Sequence, residues 1–322
     1  MELFTSLKQK VQGHGLKIVF PEATDPRILK AAQRLQQEEL IEPVFLGNPE
    51  AVQQAAAAAQ VDLSQIQILD PNHYDQFNDM VQAFVQRRKG KNTVEQAQTM
   101  LRDPNYFGTM LVYLKQVAGM VSGAVHPTGD TVRPALQIIK VKPGLTRTSG
   151  AFIMQKGEQR YLFADCAINI NPSAQELAEI AVTSAHTAQL FDIQPRVALL
   201  SFSTKGSAKS DEVTKVAEAT RLAQTMDPTL VLDGELQFDA AIVPTVAQQK
   251  APQSTIAGQA NVFVFPELQS GNIGYKIAQR LGGFEAIGPV LQGLNQPVSD
   301  LSRGCNTEDV YKLTLITAAQ AL

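Results

Sequence analysis

The chain has 322 residues, 44% hydrophobic and 18% charged, which suits a soluble globular protein of about two domains. Lys plus Arg number 28 against 31 Asp plus Glu, for a net charge of −3, and Trp is absent; that balance excludes a nucleic-acid coat or a base-stacking platform. Two cysteines far apart, Cys166 and Cys305, argue against a disulfide scaffold or a four-ligand zinc site, and a reducing compartment is their natural setting.

The opening MELFTSLKQKVQGHG lacks the apolar centre of a signal peptide, and no run approaches the ~18 apolar residues of a membrane helix. A cytoplasmic protein without a membrane partner is expected. Short β-branched runs then alternate with amphipathic segments, the pattern of α/β architecture with mainly parallel strands. LKIVFPEA (Leu16 to Ala23) reads as a buried strand. Asp25 is placed to cap the next helix, Pro26 suits its first position, and Ile28, Leu29, Ala32 and Leu35 form its apolar face. A strand at PVFLG (43–47), an Ala/Gln-rich helix, and helices over 75–88 and 93–102 follow.

A second half starts near Gly150. AFIMQ and YLFAD read as paired strands, and Ser173 with Glu176 as a capping box opening a helix to about Leu190. RVALLSF (196–202) is the strongest buried strand of the chain. A helix over 210–224, strands near Val231 and at NVFVFPE (261–267), and a final helix over about 308–319 complete the rhythm.

Several templates are absent. No Gly-x-Gly-x-x-Gly follows a strand, no His-Glu-x-x-His occurs, and KGSAKS (205–210) lacks the phosphate-loop spacing. His14, His73, His126 and His186 are scattered. The acidic run DGELQFDAA (Asp233, Glu235, Asp239) is the one candidate for a divalent cation, and it reads more simply as a strand end and a helix start.

Three polar passages stand out. GAVHPTGDTVRPALQ (123–137) is a loop of small and hydroxyl residues, with Asp130 or Thr131 opening a helix that bears Arg133. It is either an anion cradle built from free backbone N–H groups or an ordinary cap with a surface arginine. LSFSTKGSAKSDE (200–212) repeats the order of buried strand, Ser/Thr/Gly loop and helix, and ligands of parallel sheets collect at such strand ends. PVSDLSRGCNTEDVYKL (297–313) gathers Asp300, Ser302, Arg303, Cys305, Glu308 and Asp309 ahead of a helix that Thr307 can cap. The helix dipole accounts for both Glu308 and Asp309, but not for Ser-Arg-Gly-Cys just upstream, a set suited to a developing oxyanion or a phosphoryl group.

On these passages, together with FPEATDPRILKAA, FADCAINI–PSAQELAEIA and FPELQSGNIGYKIAQRLGG, the chain resembles the phosphate acetyltransferases from end to end. The resemblance implies two α/β domains: residues 1–148 plus 298–322, completed by the C-terminal helix, and residues 149–297, with the active site in a cleft between them. It also implies a homodimer and the reaction acetyl-CoA + phosphate ⇌ acetyl phosphate + CoA, with CoA as substrate and no cofactor or metal.

By the same resemblance Ser302 and Arg303 sit at the acetyl carbonyl, and Asp309 takes the proton of the CoA thiol. Arg133, Arg87 (with Arg88 adjacent), Arg27, Thr128 and Cys305 bind CoA or phosphate. A net negative chain needs such a local arginine cluster to hold CoA. An Asp of pKa about 3.9 is a weak base for a thiol near about 8.5, so the proton leaves in a concerted step or from a desolvated site. The alternatives are a phosphate butyryltransferase-like enzyme and, further off, a metal-dependent enzyme of the isocitrate dehydrogenase kind.

Overall fold

The computed structural model describes residues 3–322, which fall into two compact units: residues up to Val141 with Leu294–Leu322, and Lys142–Gly293. These divisions come slightly earlier than 148 and 297. Residues 142–148 side with the second unit because Thr146 N and Oγ1 donate to Glu179 (2.7 and 2.8 Å) and Thr148 Oγ1 donates to Gln292 O (2.7 Å). The 294–297 stretch sides with the first, through Asn295 N to Lys140 O and Gln296 Nε2 to Val112 O.

The first unit begins with α1 (Leu3–Val11), β1 (Lys17–Phe20), α2 (Pro26–Gln37), β2 (Glu42–Leu46), α3 (Pro49–Ala59) and β3 (Gln67–Leu69). It continues through α4 (Phe77–Arg87), α5 (Val94–Met100), α6 (Pro104–Tyr113), β4 (Gly119–Ser122), α7 (Thr128–Pro134) and a π-helical turn (Ala135–Ile139). The second unit holds β5 (Ser149–Lys156), β6 (Gln159–Ala164), α8 (Ala174–Leu190), β7 (Val197–Leu200), α9 (Asp211–Met226) and β8 (Leu232–Leu236). It closes with α10 (Phe238–Ile242), α11 (Pro244–Lys250), β9 (Val262–Val264), α12 (Leu268–Arg280) and β10 (Glu285–Gln292). The chain then returns to the first unit as β11 (Val298–Asp300) and α13 (Thr307–Gln320).

Local chemistry sets most of these bounds. The Asp25 carboxylate accepts from Arg27 N, Pro26 stands at the first turn of α2, and Ile28, Leu29, Ala32 and Leu35 are fully buried. Ser173 and Glu176 close the capping box expected at α8. Two caps differ from expectation. Helix α7 opens at Thr128 rather than at Asp130 or Thr131: Pro127, with φ −65°, sets the entry, and Thr131 is buried inside the helix, where it cannot cap. Helix α13 is capped by Asn306 rather than Thr307. Asn306 Oδ1 accepts from Asp309 N at 3.0 Å and Asp309 Oδ2 from Asn306 N at 2.9 Å, which makes Thr307 the first helical residue.

The first sheet has the order β11-β4-β1-β2-β3 and is parallel throughout. Its central strands read as unbroken apolar runs (Ile18 to Phe20, Val44 to Leu46) because helices cover both faces. Strands β2 and β3 lie on one side of β1, and β4 and β11 on the other. The winding therefore reverses between β1 and β4, where the loops leaving the carboxyl ends diverge and open a crevice. The second sheet has the order β10-β5-β6-β9-β7-β8; β5 runs antiparallel to β10 and β6, and the remaining pairs are parallel. No helix among the described residues is long and apolar enough to cross a membrane.

Candidate active site

Three loops leave the carboxyl ends of β1, β4 and β11 at the winding reversal. The register fixes their relative position: Val19 lies beside Met120, and Asp300 beside Ser122. From β1 comes Glu22, buried at 8% exposure. Its Oε2 accepts from Gly123 N (3.0 Å) and Ala124 N (2.8 Å), and its Oε1 from Val125 N (2.8 Å). The start of the 123–137 passage is thus an anion cradle, but the anion in it is the chain's own carboxylate. An incoming phosphate must look elsewhere.

Behind that cradle lies a buried polar network. His126 Nε2 sits 3.0 Å from Asn105 Nδ2, 3.1 Å from Ser122 Oγ and 3.3 Å from Glu22 Oε1, while Ser122 Oγ donates to Asn105 Oδ1 at 2.7 Å. Asp300, the last residue of β11, is buried as well, and burial pushes its carboxyl above the usual carboxylate range. Leu301 N donates to Ser122 O at 2.7 Å and carries the β11 pairing one step further.

Beyond Leu301 the chain surfaces. Ser302 and Arg303 are exposed, Ser302 Oγ accepts from Gly304 N at 3.2 Å, and the Arg303 guanidinium has no partner among the described residues. Cys305 is buried and burial raises its thiol, although the nearby Arg27 charge pulls the other way. Cys166, in the second unit, is buried too and raised well above the ordinary thiol value by desolvation, then by the Asp165 charge. Neither thiol is set up as a thiolate nucleophile. Asp309, exposed on the first turn of α13, gives Oδ2 to the capping box and keeps Oδ1 uncommitted. Its neighbour Glu308 pairs with Arg34 at 2.7 Å.

The arginines named from the sequence fall into two groups. All five N–H donors of Arg27 are engaged. Nε and one Nη2 proton go to Asp25 (3.0 and 2.8 Å), the other Nη2 proton to Ala124 O (2.9 Å), and Nη1 to Arg303 O and Cys305 O (2.9 Å each). The Asp25 bond raises the guanidinium's affinity for its proton. Arg27 is a clamp across the three loops, with no donor left for a ligand. Arg87 is partly engaged: Nε donates to Ile138 O (2.6 Å) and Nη2 to Ile139 O (3.0 Å), and the guanidinium lies over the Tyr113 ring at 4.9 Å. It serves carbonyls of the π-helical turn and keeps Nη1 free. Arg88 donates to Asn92 Oδ1 (3.0 Å) and Gln137 O (3.4 Å).

Arg133, on the last turn of α7, is exposed and makes no hydrogen bond or ion pair among the described residues. Thr128, which opens the same helix, is exposed, and its hydroxyl acts on the Asp300 carboxyl, favouring its ionised form. Three cations escaped the sequence reading. Lys140 is held below its ordinary value by burial, then by the charges of Arg87, Lys89, Arg88 and Lys91, so that these groups act on one another as one basic patch. Only the basic letters of RRKGK hinted at this patch.

In the second unit the 200–212 loop closes on itself. Ser203 Oγ and Gly206 N donate to the buried Glu235 (3.1 and 2.6 Å), and Lys205 Nζ pairs with Asp233. Asp239 pairs with Lys250 at 2.8 Å. The three acids considered for a cation are separately committed, and the described residues contain no cluster of three metal-ligating side chains.

Comparison with known proteins agrees on one family. The family model described as phosphate acetyl/butaryl transferase matches residues 2–318. The phosphate acetyltransferase of Bacillus subtilis is 62% identical over 321 residues, covering 100% of this chain and 99% of its own. A solved phosphotransacetylase from Streptococcus pyogenes superposes with a TM-score of 0.98 at 61% identity, covering 99% of this chain and 98% of that one. A branched-chain phosphotransacylase from Enterococcus faecalis shares the fold alone, with a TM-score of 0.68 at 17% identity over 95% of this chain and 99% of that one.

Proposed function

The chain belongs to the phosphate acetyl/butyryl transferase family and transfers an acetyl group between CoA and phosphate, and we propose that the β11–α13 loop of the first unit carries the chemistry. The observation that supports this reading is the contrast within that loop. Arg27 ties down its backbone at Arg303 O and Cys305 O, while Ser302, the Arg303 guanidinium and Asp309 Oδ1 stay exposed and unclaimed. A rigid frame holding uncommitted polar groups is what electrostatic stabilisation of a transition state requires.

In the direction of acetyl-CoA formation, Asp309 Oδ1 takes the proton of the CoA thiol as sulfur attacks the carbonyl carbon of acetyl phosphate. Ser302 and Arg303 stabilise the tetrahedral oxyanion, which collapses with cleavage of the C–O bond to phosphate. Loss of the thiol proton within the attack itself suits a carboxylate, which is too weak a base to form free thiolate beforehand. The transfer is direct, in a ternary complex: both thiols are buried and raised, so a cysteine-bound acetyl group has no ready nucleophile.

Arg133 and the free Nη1 of Arg87, with the lysines crowded around Lys140, bind the phosphates of CoA. Thr128, Cys305 and Arg27 shape the loops that line the site. In the second unit Ile273, Ile277 and Leu281 are exposed on or just after α12, beside an apolar cavity of about 450 Å³; this surface supports a homodimer. The setting is cytoplasmic.

The test is isotope exchange. Labelled phosphate should enter acetyl phosphate only when CoA is present, and Ser302→Ala should lower kcat by at least about 10² with both cysteines intact. Exchange without CoA would overturn the direct route. A butyryl substrate used as readily as the acetyl one would move the enzyme to the longer-chain branch.

A further inference from the structure

Two carboxyl groups lie buried at the winding reversal, and they are treated differently. Glu22 receives three backbone N–H bonds. Asp300, 2% exposed, receives none: its Oδ1 has no hydrogen-bond partner, nor has Oγ1 of Thr131, fully buried on α7. Gly123 makes the crowding possible. At its φ of +112°, a Cβ would lie 2.5 Å from Asp300 Oδ1 and 2.7 Å from Leu301 N and O, so only glycine lets β4 pass this close to the end of β11.

An ionised carboxylate in such a place would need donors or a paired cation, and the surroundings supply neither in full. From the β1 loop it faces the negative Glu22, and from the β4 loop His126, which Asn105, Ser122 and Glu22 already share. From α7 come only the Thr128 and Thr131 hydroxyls, since Asp130 and Arg133 of that helix are exposed. Helix α13 meets β11 at Ser299, whose hydroxyl lies 2.7 Å from Thr317 Oγ1, and the neighbouring Arg27 has no free donor.

We propose that Asp300 is a positioning residue that works as a neutral carboxylic acid, using its proton to join the end of β11 to the α7 threonines and so to fix where Ser302 and Arg303 emerge. It touches no reacting atom. One residue, Leu301, separates it from Ser302, and Leu301 N is held by Ser122 O. Loss of the proton would set an unpaired charge against Glu22 and loosen the strand end from which the catalytic loop departs. Burial favours the protonated form and outweighs the opposing pull of the Thr128 and Thr131 hydroxyls and of His126, with the Glu22 charge adding a smaller push in the same direction as burial. This inference rests on the reading that Ser302 and Arg303 face the reaction.

The experiment compares Asp300→Asn and Asp300→Ala with the wild type in kcat, KM for CoA and Tm across pH. Asparagine keeps the shape and the neutral donor, so Asp300→Asn should hold kcat within about threefold at neutral pH. A group whose folded-state value is raised contributes stability that is complete below its unfolded value, near about 3.9, and is lost as pH rises through the folded value. Asp300→Asn should therefore lack that part of the wild-type decline in Tm and kcat that sets in as pH rises above about 3.9. Asp300→Ala should lose at least about tenfold in kcat with a smaller change in KM. A loss of about 10² or more in Asp300→Asn, an unaltered decline with rising pH in it, or full turnover in Asp300→Ala would each overturn the proposal. If Ser302→Ala were fully active the reading of the loop would fall, while the dependence of Tm on pH would still report on Asp300 alone.

Discussion

The two units place the same sequence grammar at the carboxyl ends of their strands and reach opposite results. In both, a buried strand runs into a loop of serine, glycine and a basic residue and then into a helix. In the second unit the charged groups at the strand ends are answered locally, Lys205 by Asp233 and Glu235 by Ser203 and Gly206, and only Lys209 further along the loop has no partner among the described residues. In the first, local acceptors hold the backbone through Arg27, and the side chains of Ser302, Arg303 and Arg133 are left over. Composition cannot separate the two cases. Counting which donors already have acceptors does.

The sharpest way to break this contrast is Asp309, which is both a cap and the proposed proton acceptor. Asp309→Asn keeps shape and some hydrogen bonding but removes basicity, and should lower kcat by at least about 10² with little change in Tm. Raising the pH should restore part of the rate up to about 8.5, where thiolate forms unaided. Glu308→Gln is the control on the same helix turn. It gives up an exposed pair with Arg34, worth about 0–1 kcal/mol, and should turn over like the wild type. Equal, small losses in both variants would leave Asp309 a cap and nothing more.

Next in size are the arginines. A charge-assisted contact to phosphate contributes about 1.5–3 kcal/mol, or roughly 10- to 150-fold in affinity. Arg133→Ala should raise the KM for CoA within that span and leave Tm alone, since Arg133 makes no hydrogen bond or ion pair among the described residues. Arg87→Ala should raise KM and also lower Tm, because it takes a donor from the carbonyls of Ile138 and Ile139 and leaves Ile139 O with Asn295 Nδ2 alone as its side-chain donor. Lys205→Met, in the loop that answers its own charges, should move the CoA KM less than either. Should it move KM more, the second unit's loop is a ligand site after all.

What the sequence revealed and what it hid follow from the range of the interactions involved. The caps at Asp25 and Ser173 and the long apolar faces are local, and they were legible. Strands β4 and β11 were not: GMVS and VSD are short, lack alternation, and become strands only because β1 and β4 offer them edges. Since the site hangs from those two strands, its residues were visible as motifs while their frame was not. Glu22 illustrates the cost. An amide cradle was one of two readings of the 123–137 passage; the amides of 123–125 do form one, but the carboxylate that fills it comes from a hundred residues earlier in the chain. Arg27 likewise reads as a ligand until its five acceptors are seen together.

The smallest expected effect concerns the anchoring of α13, whose first turn bears Asp309. At the side of that helix Glu38 accepts from Lys8 Nζ (2.7 Å), Tyr311 Oη (2.6 Å) and Arg34 Nε (2.9 Å), joining α1, α2 and α13. Burial opposes its charge, but the bonds from Lys8, Tyr311 and Arg34 outweigh burial and hold the carboxyl at about 2, down from 4.5. A depressed value contributes stability that is complete above the unfolded value and lost as pH falls through the folded one, here between about 4.5 and 2. Glu38 is a third exposed, so solvent screening trims the contribution to about 1 kcal/mol. Glu38→Gln should therefore lower Tm by about 2–4 °C at pH 7, with the gap to wild type closing as the pH falls into that window. Because Glu38 holds the helix and not the reacting groups, kcat and KM should stay at wild-type values. A drop in kcat with no change in Tm would mean that the anchor of α13 and the chemistry at its first turn are not separable in the way the two kinds of side chain suggest.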